Sequence, residues 1–375
     1  MAGLYIHIPF CKQRCTYCDF YTQVAPKLIP DLVDALCIEL HTRKNYLQNE
    51  AIDTIYFGGG TPSLLNNSQF EQIFDNIYSN YKLSENAEIT FEANPDDLTI
   101  AFLNSIATLP FNRISIGIQS FDDAELKSIN RRHTGKQAIQ AVQHAKQAGF
   151  KNISIDLIYG LPNQDLDLWI QQLDTALSLD VQHLSVYGLT YEEGTKLWKQ
   201  REKGEITVVD ENSMIKMYHE LLKKIELNNF EAYEISNFAK PGFRSRHNSA
   251  YWKLTPYAGI GPSAHSYDGK SRQWNIASTT KYIQALANSD QFFEKEILTD
   301  NDKYNDYIMI SLRTREGANL AFIENNFGKI KKDYCISSAK KQIELENLIL
   351  DNNNIYFSTK GIDISNLIIR ELIYI

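Results

Sequence analysis

Strand-like and helix-like segments alternate along this chain from Leu4 to Tyr187, and few folds accept that order. Short apolar or β-branched runs cover Leu4–Ile8, Ile52–Phe57, Glu88–Ala93, Arg113–Gln119, Asn152–Tyr159 and His183–Tyr187. Between them, helical periodicity covers Pro30–Leu47, Thr99–Leu109, Lys136–Ala148 and Leu166–Leu179, and a stretch carrying Phe70, Ile73, Phe74 and Ile77. Ser68 and Glu71 read as the capping box of that last helix, and Gly149 as the stop signal after Ala148. Strand, helix and next strand make a right-handed unit, so the six strands predict a parallel sheet. No G-x-G-x-x-G turn follows the first strand, which argues against a dinucleotide-binding sheet. Each strand instead delivers something small, polar or ligating at its carboxyl end: a cysteine loop, a glycine run, Glu92, Gln119, Asp156, and Gly188 to Thr190. In a (β/α) barrel those ends share one face, where binding sites lie. Six units rather than eight predict an α/β fold built as a partial (β/α)6 barrel, open along one side.

The rhythm breaks over about Asp210–Ser289, where a helical segment Met214–Leu227 is followed by a strand-like Glu231–Phe238. An aromatic and glycine-bearing stretch comes next, through His247-Asn248-Ser249-Ala250-Tyr251-Trp252 and Gly259-Ile260-Gly261. From about Thr299 the chain is helix-rich, with periodic segments at Tyr304–Leu312 and Leu320–Phe327. It closes on alternating segments near Asn354–Ser358 and Ile364–Ile369, with Asp351-Asn352-Asn353-Asn354 as a hairpin turn. The expected organisation is a barrel over residues 1–230, a connecting region over 231–295, and a small helix-rich C-terminal domain over 296–375 that ends in a β-hairpin.

Composition narrows the partners. A net charge of −8 leaves no basic excess for non-specific nucleic-acid binding. No run of about 18 apolar residues and no export signal is present, so the expected location is the cytoplasm.

Three of the five cysteines, Cys11, Cys15 and Cys18, crowd into one loop after the first strand. Crowded thiolates in a loop usually hold a metal, which makes their deprotonation favourable and ties the loop down. Zinc would need a fourth ligand, which His7 or Asp19 offers only with awkward geometry, whereas a [4Fe–4S] cube held by three thiolates keeps one iron free for chemistry. A disulfide fits the spacing less well. Cys37 and Cys335 lie in helical stretches and read as buried or half-buried packing residues.

The C-x3-C-x2-C spacing, with Tyr17 before the last cysteine, resembles the radical S-adenosylmethionine (SAM) superfamily. In that superfamily the open iron of a [4Fe–4S] cluster chelates the amino and carboxylate groups of SAM. Tyr5-Ile6-His7-Ile8-Pro9-Phe10-Cys11, Gly58-Gly59-Gly60-Thr61-Pro62, Ser115-Ile116-Gly117-Ile118-Gln119-Ser120-Phe121 and Asp156-Leu157-Ile158-Tyr159-Gly160-Leu161-Pro162 together resemble its HemN/HemW branch. That branch contains oxygen-independent coproporphyrinogen III dehydrogenases and haem chaperones. The resemblance implies that Tyr5 and Tyr17 lie near the cluster. It implies that Gly59, Gly60, Thr61, Glu92, Gln119, Arg131 and Asp156 bind SAM. Glycines there let a ligand approach the backbone, Glu92 can meet a cation, Arg131 can fork onto a carboxylate, and Asp156 can accept a ribose hydroxyl. On chemistry alone, Arg132 would serve as well as Arg131.

Two features separate the branches. The dehydrogenases carry a further cysteine two residues after the third, where this chain has Phe20, and they have a long N-terminal extension before the cluster. His247-Asn248-Ser249-Ala250-Tyr251-Trp252 fits the H-N-x-x-Y-W motif associated with haem binding in the chaperones. His247 can ligate iron, Tyr251 and Trp252 offer flat faces, and Arg244 and Arg246 can meet propionates; His265 is a second candidate ligand. The resemblance therefore implies haem as ligand, haem-acceptor proteins at the membrane surface, an electron donor for the cluster and a homodimer. The alternative is a coproporphyrinogen III dehydrogenase or another radical enzyme.

Overall fold

A computed structural model describes all 375 residues. Six parallel strands, β1 (Ala2–Ile8), β2 (Ile52–Gly59), β3 (Leu83–Ala93), β4 (Arg113–Gln119), β5 (Ile153–Tyr159) and β6 (His183–Gly188), lie side by side in chain order. Helices Ile29–Thr42, Asn67–Asn80, Ile100–Ser105, Gly135–Gln147 and Leu166–Ser178 cover their outer face. The expected six-unit parallel sheet is present.

Strand parity explains the layering. Ile6, Ile8, Ile55, Phe57, Phe91, Ile114, Ile116, Ile153, Ile155 and Leu184 are fully buried and belong to the main apolar core. Their neighbours along each strand point the other way, and many are polar: Tyr5, His7, Thr54, Tyr56, Glu92, Arg113, Ser115, Asp156, His183 and Ser185. Buried polar groups are tolerated when paired, and these pair across strands. Tyr56 donates to Glu92 at 2.7 Å, Ser115 to Asp156 at 3.1 Å, and Ser154 Oγ meets His183 Nδ1 at 2.7 Å. The inner face is thus a hydrogen-bonded polar channel rather than an apolar plug.

Residues 231–295 extend the same sheet at both edges. On one side β6 pairs antiparallel with β8 (Asn237–Ala239), which pairs with β7 (Glu231–Ala232). The single strand expected at Glu231–Phe238 is therefore a tight hairpin. Glu234 bends the chain there by accepting the backbone N–H of Ser236 and the side chain of Asn237. On the other side β1 pairs parallel with β9 (Tyr257–Ile260), followed by β10 (His265–Tyr267), β11 (Ser271–Asn275) and β12 (Phe293–Ile297). Buried Glu39 ties this edge down by accepting from Gly261 N and Asn275 Nδ2, each at 2.8 Å, and from Tyr282.

From Tyr304 a second, smaller core forms around Ile308, Leu320, Ile323, Cys335, Ile355 and Ile368. Its sheet holds β13 (Ala318–Asn319), β14 (Leu348–Asp351) and β15 (Asn354–Phe357), with β14 and β15 as the expected hairpin. The hairpin does not end the chain, because Ser365–Leu372 is a helix. Its Ile368, Ile369 and Leu372 share one face toward the small core, a spacing that a short alternating window cannot separate from a strand.

Other boundaries moved for identifiable reasons. The capping box is Asn66 with Gln69, and Ser68 instead donates to Asn66 at 2.8 Å. The first helix ends at Thr42 rather than Leu47, where Arg43 turns inward to Gln273 and Asn275.

Candidate functional site

At the carboxyl end of the six strands lies a cavity of about 480 Å³ that gathers most of the residues singled out in the sequence. Cys11, Cys15, Cys18, Tyr17, Gly59, Gly60, Thr61, Glu92, Gln119, Arg131 and Asp156 all line it.

The cysteine loop is pinned at several points. Cys11 N donates to Gln23 O at 3.0 Å, Thr16 N to Ile129 O at 3.1 Å, and Leu197 N to Thr16 O at 2.8 Å. Thr61 Oγ1 donates to Cys11 Sγ at 3.4 Å, and Arg131 Nη1 to Cys15 Sγ at the same distance. Burial pushes the Cys11 thiol up and holds Cys18 at about 11, so a bound metal's own charge must favour the thiolates. Cys11, Cys15 and Cys18 line one cavity, and a cube would take each thiolate on a different iron.

The glycine run is required by packing. A Cβ on Gly59, whose φ is +102°, would stand 2.4 Å from the His7 ring. A Cβ on Gly60 would stand 2.7 Å from the carbonyl oxygens of Ile8 and Phe10. The glycines therefore let β2 lie against the strand that launches the cysteine loop, and in doing so leave their backbone facing the cavity.

Beyond the glycines the cavity is lined by the charged side chains Glu92, Arg131 and Asp156. Glu92 accepts from Tyr56 Oη at 2.7 Å and from Gly59 N at 3.2 Å, and burial raises its carboxyl to about 7. Asp156, also raised by burial, accepts from Ser115 and Ser185. Gln119 ends β4 at φ +70°, beside a break in the β4–β5 register. Arg131 settles its rivalry with Arg132. It is half-buried in the cavity wall, donates to Asn94 Oδ1 at 2.7 Å and to Gly117 O, and keeps its Nε without a partner. Arg132 points away and pairs with Asp96 and Asp97. Two carboxylates, one guanidinium with an orphaned donor and three thiols are the donor set that a [4Fe–4S] cluster and SAM require.

The radical SAM superfamily matches this chain over residues 5–173. Over 367 residues, 96% of this chain and 96% of the relative, the chain is 33% identical to the heme chaperone HemW of Bacillus subtilis (strain 168). It is 32% identical to that of Lactococcus lactis over 98% of this chain and 96% of the relative. The chain belongs to the HemW family of radical SAM proteins. The structure of coproporphyrinogen III oxidase (HemN) from Escherichia coli shares the fold, with a TM-score of 0.86 over 99% of this chain and 90% of that one at 22% identity.

Within this HemW-family chain three expectations need correction. Tyr5 does not line the cluster cavity. It lies in the barrel channel, its Oη 2.9 Å from His7 Nδ1, and the His7 ring stands between it and Gly59. Strand parity places Tyr5 two residues deeper than His7 on the same face. His247, expected to ligate iron, has both ring nitrogens already engaged. It opens the helix Arg246–Trp252 and is 1% exposed, inside the channel. Its Nδ1 meets Thr54 Oγ1 at 2.8 Å, its Nε2 meets Tyr251 Oη at 2.9 Å, and its ring stacks on Tyr56 at 4.9 Å. Glu88 fixes that helix by accepting the backbone N–H groups of Arg246 and His247, each at 3.0 Å. Arg244, expected to meet a propionate, is engaged by Glu231 and Glu316. His265 sits on β10 and is exposed, its ring 6.3 Å from that of Trp274.

Asn94 was missed. It links Thr61 Oγ1 and Arg131 and so joins the Cys11 and Cys15 contacts. A polar residue closing β3 just before Pro95 was the available signal.

The buried imidazole has a measurable consequence. Burial lowers His247 to about 3, against about 6.5 in the unfolded chain. As pH falls below about 6.5 the unfolded chain takes up a proton that the folded site refuses, so this contribution to stability is lost as pH falls toward 3. At pH 5 the loss is about 2 kcal/mol, from 1.4 kcal/mol per pH unit. His247→Gln should be less stable than the parent at pH 7.5, with the gap shrinking by about that amount at pH 5. Denaturation midpoints at the two pH values measure it; a gap independent of pH would mean that His247 is exposed in solution.

Proposed function

We propose that this protein binds haem and passes it to acceptor proteins, using a radical SAM barrel that holds a [4Fe–4S] cluster and SAM. The observation that carries this reading is identity of 32–33% across 96% of relatives named heme chaperone. Phe20 adds to it: where the dehydrogenases have a further cysteine, this chain places an apolar ring, 65% exposed, at the edge of the cavity.

When bound, the cluster and SAM supply one-electron chemistry. This chain's own residues hold and orient them: Cys11, Cys15 and Cys18 as ligands, Glu92 and Asp156 against positive charge and hydroxyls, and Arg131 toward a carboxylate. The reading extends to a cytoplasmic location, an electron donor for the cluster, acceptors at the membrane surface and a homodimer, all carried by the family resemblance. No helix is long and apolar enough to cross a membrane.

The test is a haem titration of the anaerobically reconstituted protein, followed by transfer to an apo-haem protein, beside a turnover assay with coproporphyrinogen III. Stoichiometric haem binding and transfer without decarboxylation is the expected outcome. Robust decarboxylation with no haem binding would move the assignment to the dehydrogenase.

A further inference from the structure

We propose that Arg113, enclosed in the barrel channel beneath the mouth, is the internal counter-ion shared by Glu92 and Asp156, and so a positioning residue for SAM. This role rests on the reading above that the two carboxylates hold SAM, and adds the group that keeps them charged.

Arg113 opens β4 and is 1% exposed, one of the largest side chains fully enclosed in the fold. A guanidinium stays protonated, so a permanent positive charge lies inside the barrel. It nevertheless enters no ion pair within 4.0 Å, and its Nε and Nη1 have no hydrogen-bond partner. Its register partner on β3 is Thr90, fully buried, whose hydroxyl is likewise unpartnered. An enclosed charge without a contact partner is costly. What offsets that cost here is charge at longer range, which acts more strongly inside a protein than in water.

Strand register identifies the charges concerned. Glu88, Thr90 and Glu92 share the inward face of β3, so Arg113 stands level with Thr90, between two acids each two residues away. Glu88 is already matched, because it accepts the first N–H groups of the helix Arg246–Trp252, a positive helix end. Glu92 meets only the neutral donors Tyr56 and Gly59 N. At about 3.3 Å per residue, the Arg113 backbone lies roughly 7 Å below that of Glu92 along the strands. On the other neighbour, β5, Asp156 lies opposite Gly117 and accepts from Ser115, two residues after Arg113 on the same face. Burial raises both carboxyls, and the guanidinium pulls each back down.

The two arginines therefore divide the work by position. Arg131 lines the mouth, where a ligand carboxylate can reach it, whereas Arg113 lies behind the acids and lines none of that cavity. The ammonium and sulfonium groups of SAM approach Glu92 and Asp156 from the mouth. A cation behind the acids keeps them ionised without standing where it would block that approach.

The experiment is a SAM titration of the cluster-loaded, full-length protein from pH 6 to 9, beside Arg113→Met, which removes the charge, and Arg113→Lys, which keeps it. Among the groups facing these acids, burial pushes the phenols of Tyr5, Tyr56, Tyr187, Tyr233 and Tyr251 up and the imidazoles of His183 and His247 down, away from that range. Arg131 stays protonated, and Cys11 is bound to iron in the loaded protein. Parent affinity should level off at about pH 7, where burial holds Glu92. In Arg113→Met the plateau should move up by about one pH unit. Affinity should then be roughly fivefold to tenfold weaker than the parent's at pH 6.5, and equal or tighter at pH 9, where the acids are ionised and a repelling cation is gone. Arg113→Lys should keep the parent's plateau. A merely structural role would weaken binding equally at every pH. Parallel profiles for Arg113→Met and the parent, or an equal shift in Arg113→Lys, would overturn the proposal. Should Arg113→Met fail to fold, the pair Glu92→Gln with Asp156→Asn decides: it strands the guanidinium, so adding Arg113→Met should raise the Tm, and a fall would overturn the shared counter-ion. SAM affinity unchanged in Glu92→Gln and in Asp156→Ala would instead overturn the reading that these carboxylates hold SAM.

Discussion

Replacing Cys11, Cys15 or Cys18 by serine should leave anaerobically reconstituted protein without iron, labile sulfide or the visible absorbance of a cluster. Each of the three thiols lines the cavity at the strand ends, and each would ligate a different iron of the cube, so no remaining ligand can substitute. The second sphere is specific as well: Thr61 and Arg131 donate to the sulfurs of Cys11 and Cys15. Cys37→Ser and Cys335→Ser should keep the cluster. Cys37 lies half-buried on the helix Ile29–Thr42, 3.7 Å from Gln72 O, and Cys335 is enclosed in the small C-terminal core. Adding SAM to the parent should change the cluster spectrum, because three thiols would leave one iron without a protein ligand, and Glu92, Arg131 and Asp156, which would hold SAM, line the same cavity. Stoichiometric zinc with no labile sulfide in the parent would refute the assignment of the loop.

How much of this was legible beforehand follows from where the information resides. The six strands and their polar carboxyl ends are local patterns, and eleven of the residues picked from the sequence meet in one cavity. Neither the place of Tyr5 nor the engagement of His247 is legible in the sequence, because burial in the channel is a property of closure, not of a short window. His247 stands among Arg244, Ser245, Arg246, Asn248 and Ser249, which reads as surface. It is buried because Glu88, 159 residues away, takes the N-terminus of its helix and draws it against β2. The choice between Arg131 and Arg132 was equally non-local, since Asp96 and Asp97 claim one of them and Asn94 the other. The glycine run was found for an incomplete reason. Space for a ligand was expected, whereas the nearest obstacles to a side chain are His7 and the backbone of Ile8 and Phe10. The short strands at 231–239 could not be separated by pattern because the turn between them is made by a carboxylate, Glu234, in an otherwise strand-like run.

Glu92→Gln should weaken SAM binding by about 1–3 kcal/mol, or roughly 5- to 150-fold, the scale for losing a charged partner in a buried site. The substitution keeps the shape and one of the two acceptor oxygens; Tyr56 and Gly59 N donate to different oxygens of Glu92, so one of those bonds goes with the charge. The pH dependence separates this from a general loosening. Without ligand, burial holds the Glu92 carboxyl at about 7, so it is largely protonated below that pH. The sulfonium and ammonium groups of SAM favour the ionised form, and binding below pH 7 must therefore expel a proton. Parent affinity should rise with pH up to about 7 and then level off, by at most tenfold per pH unit. In Glu92→Gln that rise should vanish while the weaker affinity remains. Asp156→Ala, which removes the neighbouring carboxylate, should weaken binding on the same scale but keep the dependence on Glu92. Isothermal titration from pH 6 to 8.5 reads both quantities at once. If SAM affinity were unchanged in both variants, the strand-end carboxylates would not be its ligands, and the cavity's charge pattern would belong to the stability of the barrel alone.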